Sequence, residues 1–157
     1  MPALNFQKRF APLVESGEKR QTIHGGADKM VNLSKKLDRV FSEYIRRRDC
    51  VQGTQFGHCI TCGRLVPWKY ADAGHYIKRQ HKATRFDPQN VNLQCKSCNC
   101  FEQGANEKYK IAIDWKWGSG TAEKLEQRKR NRTDYRDWWY AEKIKEYQVK
   151  IKEMEDA

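Results

Sequence analysis

The chain has 157 residues and a formal net charge of +11, with an isoelectric point of about 9.5. Only 38% of its residues are hydrophobic and the mean hydropathy is −0.98, which excludes a large apolar core and a membrane-spanning helix. The excess of positive charge favours a polyanionic partner, of which nucleic acid is the commonest. Charges interrupt residues 1–20, which argues against a signal peptide and predicts a cytoplasmic protein.

The N-terminal fifth of the chain shows no sustained hydrophobic periodicity. Residues 1–31 contain five glycines and prolines among scattered charges. Such a stretch buries little apolar surface, so we expect residues 1–31 to be a flexible basic arm. Residues 32–157 are expected to form one domain, with its core at residues 58–105 and its C-terminal helices at residues 106–157.

A helix is predicted to follow the arm. Asn32 and Ser34 are both good N-cap residues, and apolar residues then recur every three or four positions as far as Ile45. Three arginines end this helix, where positive charge is favourable at the negative end of the helix dipole. They could equally be a solvated helix end or contacts to DNA phosphate. The three are Arg46, Arg47 and Arg48.

Cysteines mark the middle of the chain. Four of the six form two CxxC pairs about thirty residues apart, and these are Cys59, Cys62, Cys95 and Cys98. In a CxxC turn both sulfurs can face one point, so two turns offer four thiolates to one tetrahedral Zn²⁺ that stabilises the fold. A single CxxC also occurs by chance or as a redox pair. Cys50 and Cys100 are left over, and His58 is a further, less favoured ligand.

Between the two cysteine pairs the sequence predicts short strands and a loop. Residues 65–70 and 71–77 are typical of strands, and residues 87–93 combine a turn signal with a further extended run. The basic loop at residues 78–85 contains the best candidates for phosphate contacts. These are Lys78, Arg79, Lys82 and Arg85. His81 in the same loop could be a second catalytic histidine, or a contact to DNA or solvent.

Helical patterns fill the C-terminal third. One helix is predicted from Asn106, a glycine-containing break follows at residues 118–120, and Thr121 caps a short basic helix. The last helix is predicted to begin at Thr133 or Asp134. Its apolar stripe alternates like a coiled-coil seam, which would form a homodimer, but packing on the first helix of the same monomer explains it equally well. The stripe is Tyr140, Ile144, Tyr147, Ile151 and Met154.

The residues between the cysteine pairs resemble an HNH (ββα-metal) nuclease. The resemblance rests on a histidine in the first strand of a hairpin, an asparagine five residues before the second CxxC, and an asparagine directly after it. Here these are His75, Asn90 and Asn99. The run DAGHY at residues 72–76 more narrowly resembles the NinG/Rap family of phage recombination proteins, and the paired CxxC layout is similar to the phage endonuclease VII resolvases. The resemblance implies an α+β fold with a small zinc-stapled ββα-metal (HNH-like) core flanked by α-helices.

The resemblance also implies a metal-dependent endonuclease that acts on branched DNA recombination intermediates, such as Holliday junctions and D-loops. It implies that His75 is the general base, that Asn90 orients it, and that Asn99 binds a catalytic Mg²⁺ or Mn²⁺. The position before the base usually supplies another metal ligand, and here it is Gly74. Asp72 lies on the same face of the strand as Gly74, so the resemblance assigns this role to Asp72.

Two other functions fit the same sequence. A non-catalytic, zinc-stabilised DNA-binding recombination module would keep the zinc and the basic loop without a working catalytic pocket. A general HNH nicking endonuclease would have little preference for branched DNA. The presence of His75, Asn90 and Asn99 together argues against a decayed pocket. Nothing in the composition separates branched from linear substrates.

Overall fold

The structure is a computed structural model that describes residues 18–101 and 106–157. These residues contain five α-helices and four β-strands, which confirms the predicted mixture of helices and small sheets. In chain order the elements are α1 (Glu18–Arg48), β1 (Phe56–His58), β2 (Leu65–Pro67), β3 (Asp72–His75), α2 (Lys82–Arg85), β4 (Val91–Gln94), α3 (Asn106–Trp117), α4 (Thr121–Arg128) and α5 (Asp137–Asp156).

Helix α1 begins earlier than the sequence predicts. Its first residue is Glu18, so the predicted start at Asn32 or Ser34 is wrong. Two adjacent glycines, at positions 25 and 26, prompted the prediction of an arm. They weaken a helix by about 1 kcal/mol each, which a helix of 31 residues tolerates. The rest of the predicted arm, residues 1–17, lies outside the described residues.

The strands pair into two separate two-stranded antiparallel sheets, β1 with β2 and β3 with β4. In the second sheet Asp72 is opposite Gln94 and His75 is opposite Val91. All four residues of β4 are buried. The two faces of β4 contact different helices, since Val91 packs in the cluster with α1 while Asn92 meets Tyr109 on α3. The second sheet therefore lies in the interior, and it holds its polar residues in fixed positions.

Helices α1 and α5 pack against each other and form the larger core. Leu37, Phe41 and Ile45 on α1 share one buried cluster with the first three residues of the predicted stripe, which are Tyr140, Ile144 and Tyr147. The rings of Phe41 and Tyr147 meet edge to face at 5.0 Å. Of the two readings left open, the structure shows packing within one chain. Most of the stripe is therefore covered within one chain, and a homodimer stays a prediction.

Helices α3 and α4 form a smaller core with Tyr109, Ile113 and Leu125 fully buried. The turn between these helices needs glycine, because Gly118 and Gly120 both have positive φ angles of 103° and 81°. The helix after it begins at Thr121 and Gly120 occupies the N-cap position, so the prediction that Thr121 caps this helix is wrong. No helix in the described ranges is both long and apolar enough to cross a membrane.

Candidate functional site

The four cysteines of the CxxC pairs form one cluster. Their sulfurs all lie within 4.8 Å of one another, and three of the four residues are buried. The sulfurs of Cys62 and Cys95 are 3.8 Å apart. Zn–S bonds of about 2.3 Å in a tetrahedron place neighbouring sulfurs about 3.8 Å apart, so the cluster fits one Zn²⁺. The prediction that these four residues could hold a structural metal is confirmed.

The other candidate ligands lie outside this cluster. The exposed His58 places its Nδ1 3.0 Å from the carbonyl oxygen of Gly63, and the leftover Cys50 donates a hydrogen bond to the carbonyl oxygen of Arg46. The first CxxC turn is closed by the Gly63 N–H, which donates to the Cys59 carbonyl at 2.8 Å. Gly63 has a φ of 71°, a conformation that glycine adopts without strain. This turn directs the sulfurs of Cys59 and Cys62 to one point.

The second CxxC turn places Asn99 beside Asp72. The Asn99 N–H donates to the Cys95 carbonyl at 3.1 Å, so the turn that contributes two sulfurs also fixes the asparagine backbone. The Asn99 side chain donates from Nδ2 to Asp72 Oδ2 at 3.0 Å, and Cys100 Sγ lies 3.8 Å from the same oxygen. The structure thus brings together the two residues predicted to bind a catalytic cation. Carboxylate and amide oxygens are ligands that Mg²⁺ and Mn²⁺ accept.

His75, the predicted general base, lies at the end of β3 and is held by a backbone carbonyl. Its Nε2 is 3.0 Å from the carbonyl oxygen of Arg85. A carbonyl only accepts, so the neutral ring carries its hydrogen on Nε2 and leaves a lone pair on Nδ1. Burial, and next the nearby charge of Arg79, lower the pKa of His75 to about 4. The imidazole is therefore neutral at pH 7 and can accept a proton.

Asn90 joins the two ends of the basic loop. It is fully buried, and its Oδ1 accepts from the Ile77 N–H at 2.7 Å. Its Nδ2 donates to the carbonyls of Ile77 at 3.0 Å and Thr84 at 2.9 Å. These three bonds fix the loop next to Arg85, whose carbonyl meets His75. The arrangement is the one needed for Asn90 to orient the imidazole.

Among the described contacts, no hydrogen bond links His75 to the pair formed by Asp72 and Asn99. Side chains alternate along a strand, so Asp72 and Gly74 point to one face of β3 while His75 points to the other. Gly74 itself has a packing reason: a Cβ there would lie 1.9 Å from Oε1 of the buried Gln94. A larger residue at this position would require the Gln94 side chain to move. This contact explains why glycine precedes the histidine.

Comparisons with known proteins decide the family. The sequence matches the family described as "Bacteriophage Lambda NinG protein" over residues 15–156. The chain belongs to the NinG family. It is 30% identical to "Protein ninG" of Salmonella phage P22 over 129 residues, which are 78% of this chain and 58% of that protein. It is 28% identical to "Protein ninG" of Escherichia phage lambda over 128 residues, 78% of this chain and 57% of that protein.

The chain thus spans somewhat more than half the length of these curated relatives. No solved structure matches it. The family assignment confirms the narrower resemblance, to NinG, that the run at residues 72–76 indicated. The similarity to HNH nucleases and to endonuclease VII stays a prediction.

Some basic residues of this NinG-family chain are exposed, and others form ion pairs or hydrogen bonds within the chain. Lys78, Arg79 and Lys82 are exposed. Arg85 forms an ion pair with Asp38 of α1, so part of its charge is already neutralised. Of the four loop residues predicted to contact phosphate, Lys78, Arg79 and Lys82 are therefore exposed and carry no ion pair among the described contacts.

The three arginines at the end of α1 are each bound within the chain. Arg46 donates to the Trp68 carbonyl at 3.1 Å, and Arg47 pairs with Glu43 and lies over the Trp68 ring. Arg48 donates to the carbonyls of Pro88 at 2.9 Å and Val91 at 3.1 Å. Their contacts to phosphate stay a prediction. The structure shows that all three arginines also stabilise the fold through contacts within the chain, which the sequence did not indicate.

A buried polar network ties α1, β4 and α3 together. Asp49 pairs with Arg48 at 2.8 Å and with Lys116 at 2.7 Å, and its Oδ2 accepts from the Leu93 N–H at 2.8 Å. Lys116 also donates to Asn92 at 2.9 Å. Burial raises the pKa of Asp49, but hydrogen bonds and charges from Arg48 and Lys116 outweigh it, so the net pKa is lowered. Sequence reasoning missed this network, because nothing along the chain pairs residues 49, 92 and 116.

Proposed function

We propose that this NinG-family chain is a metal-dependent endonuclease that acts on branched DNA recombination intermediates, such as Holliday junctions and D-loops, in the cytoplasm of the host cell. The observation that carries the proposal is the state of His75. A neutral imidazole whose Nε2 contacts the Arg85 carbonyl, and which also meets the Ala73 backbone, keeps one nitrogen lone pair that can accept a proton. This is what activation of a water molecule for phosphodiester hydrolysis requires.

Each of the other residues then has a distinct task. Asn90 holds the loop that orients His75. Asp72 and Asn99 would hold Mg²⁺ or Mn²⁺ with side-chain oxygens, which requires the Asn99 amide to turn its Oδ1 outward from its present bond. When bound, that cation would stabilise charge at phosphorus and on the departing 3′ oxygen. The zinc cluster fixes Asn99 through the Cys95 turn.

The DNA would approach from the side of the basic loop. Lys78, Arg79 and Lys82 are exposed there, close in sequence to His75. Asp72 and His75 are three positions apart, about 10 Å along an extended strand. The proposal therefore requires the phosphodiester to reach both groups across β3.

The experiment that tests the proposal compares a labelled four-way junction with a matched duplex, each with Mg²⁺ and with EDTA. We expect incision of the junction in Mg²⁺ only, and weaker incision of the duplex. Equal incision of both would favour a general nicking endonuclease. Absence of incision in Mg²⁺ and in Mn²⁺ would exclude nuclease activity.

A second candidate is a non-catalytic, zinc-stabilised DNA-binding recombination module. The observation that favours it is the separation of His75 from the Asp72–Asn99 pair, which strand alternation directs to the other face of β3. Such a module would bind the junction with the same salt dependence and cut nothing. The same assay, read for binding as well as for incision, separates the two candidates.

A further inference from the structure

An open cleft lies on the side of the basic loop, and one of its lining residues, Arg85, also contacts His75. Its volume is about 300 Å³, and it lies between α1, α2 and the start of α5. The lining includes three aromatic side chains and two cationic ones, which are Phe86, Tyr135, Tyr140, Lys82 and Arg85. Arg85 connects the cleft to the proposed catalytic residue, because this residue lines the cleft and its carbonyl oxygen is 3.0 Å from His75 Nε2.

The aromatic wall is formed before any ligand binds. Tyr135 stacks on Trp139 with ring centroids 3.7 Å apart and an angle of 12° between the planes. Phe86 and Tyr140 meet edge to face at 6.2 Å. Rings that are held by their neighbours lose little conformational freedom when a flat ligand packs on them. Phe86 and Tyr140 are themselves buried, so the half-buried Tyr135 is the ring that can stack against a planar group.

The charge of the cleft favours an anionic ligand. Lys82 is exposed at the cleft. The nearby carboxylates are already paired, Asp38 with Arg85 and Asp87 with Arg128. A planar aromatic group attached to a phosphate could stack on the aromatic side chains while the phosphate pairs with Lys82. A volume of about 300 Å³ is at the lower end of the usual range for ligand pockets, which suits a single small group.

We propose that this cleft receives one unpaired nucleobase from the branch point of the DNA, with the adjacent phosphate at Lys82. This inference rests on the proposed action on branched DNA, and it identifies the part of the protein that selects a branch. Bases at a branch point can leave the stack, whereas bases inside a duplex are paired and stacked on both sides. Binding of such a base would place the neighbouring backbone beside His75.

The test places the fluorescent base 2-aminopurine at the branch point of a four-way junction, or at a paired position in a matched duplex. Titrations are done without added Mg²⁺ or Mn²⁺ and without chelator, so that binding is read without incision and the structural zinc is kept. The wild-type chain should change the fluorescence of the junction and leave that of the duplex unaltered. Tyr135→Ala should abolish the change and weaken junction binding about tenfold, the usual effect of losing one base–aromatic stack. Its affinity for the duplex should stay the same.

Two further variants guard against simple misfolding. Ser34→Trp fills the cleft from α1 and removes no aromatic residue, and it should have the same effect as Tyr135→Ala. Trp138→Ala removes an exposed aromatic residue of α5 that does not line the cleft, and it should behave as the wild type. Thermal melting of each variant reports whether the fold is intact.

The outcomes separate this inference from the proposed function. If Tyr135→Ala and Ser34→Trp keep the fluorescence change, or if junction and duplex binding weaken equally, the cleft does not select an unpaired base. That result leaves the nuclease proposal standing. If the wild type cuts no substrate but the fluorescence change depends on the cleft, the inference holds and the DNA-binding module is the better account of the function.

Discussion

At the scale of single residues, His75 is the side chain whose removal should separate catalysis from binding. His75→Ala removes the proton acceptor and leaves the cysteine cluster and the exposed lysines in place. Cleavage of a four-way junction should fall by about a hundredfold or more, the usual contribution of one general base, while junction affinity is retained. His58→Ala is the matched control, because the exposed His58 lies outside the cysteine cluster and its Nδ1 contacts the Gly63 carbonyl oxygen. It should cut at the wild-type rate.

Asn99→Ala provides a contrast to the loss of the base. It should also lose cleavage, but by weakening the hold on the cation, so raised Mg²⁺ or Mn²⁺ should restore part of the activity. Raised metal should not restore His75→Ala, since that variant loses no ligand. Cleavage by His75→Ala at the wild-type rate would show that the HNH assignment is wrong.

The low pKa of His75 also has a consequence for stability. The folded pKa is about 4 and the ordinary value is 6.5, so between these pH values the unfolded chain binds more protons than the folded one. The free energy of unfolding should therefore fall as the pH drops from 6.5 to 4, by about 3 kcal/mol for this group. Denaturant unfolding of the wild type and of His75→Gln across this range measures it. Parallel pH profiles of the two proteins would contradict the low pKa.

At the scale of elements, the sequence predicted what local patterns determine. The paired CxxC turns and the break at residues 118–120 are visible along the chain and appear in the structure, whereas the N-cap of α4 is Gly120 and not Thr121. The start of α1 was predicted wrongly because the adjacent glycines at positions 25 and 26 indicated a flexible segment, whereas the helix continues through them. The partner of the α5 stripe was left open, because one apolar stripe fits another helix of the same chain and a second copy equally well.

The candidate site shows the same division. Asn90 bonds to both ends of the loop and Asn99 bonds to Asp72, as strand pairing and the second CxxC turn bring them together, while their catalytic roles stay predictions. The engagement of Arg48 and Arg85 was not predictable, because their partners lie about forty residues or more away along the chain. Long-range ion pairs leave no periodic signal in a sequence.

The two CxxC turns are the elements that a bound metal ion would hold together. Elemental analysis of the purified chain should give one Zn²⁺ per molecule, since four thiolates saturate a tetrahedral site. Cys95→Ser should bind little zinc and lose its fold in chelator, because binding of the metal only by the folded state stabilises that state. Cys50→Ser and Cys100→Ser are matched controls outside the cluster and should keep the full zinc content. Zinc-free wild-type protein, or a fully folded Cys95→Ser in chelator, would refute the site.

At the scale of the whole molecule, the effect of the net charge of +11 on DNA binding depends on which of the cationic side chains are exposed. Many of the cations are already engaged in ion pairs or bonds to backbone carbonyls, as Arg48 and Arg85 are. These cations hold helix α1 against the second sheet and the loop. The exposed lysines and Arg79 of the basic loop remain available for phosphate. We therefore expect the dependence of DNA binding on salt to come from a small part of the total charge.

That expectation can be measured from the slope of log affinity against log salt concentration. Each phosphate contact on duplex DNA contributes about 0.9 to the slope through counterion release. Replacing Lys78, Arg79 and Lys82 by alanine should therefore flatten the slope by about 2 to 3. The matched control replaces three exposed lysines on α4 and α5, Lys124, Lys145 and Lys152, which changes the net charge equally. The control should keep a slope close to that of the wild type. If both triple variants flatten the slope to the same extent, net charge and not the basic loop determines binding.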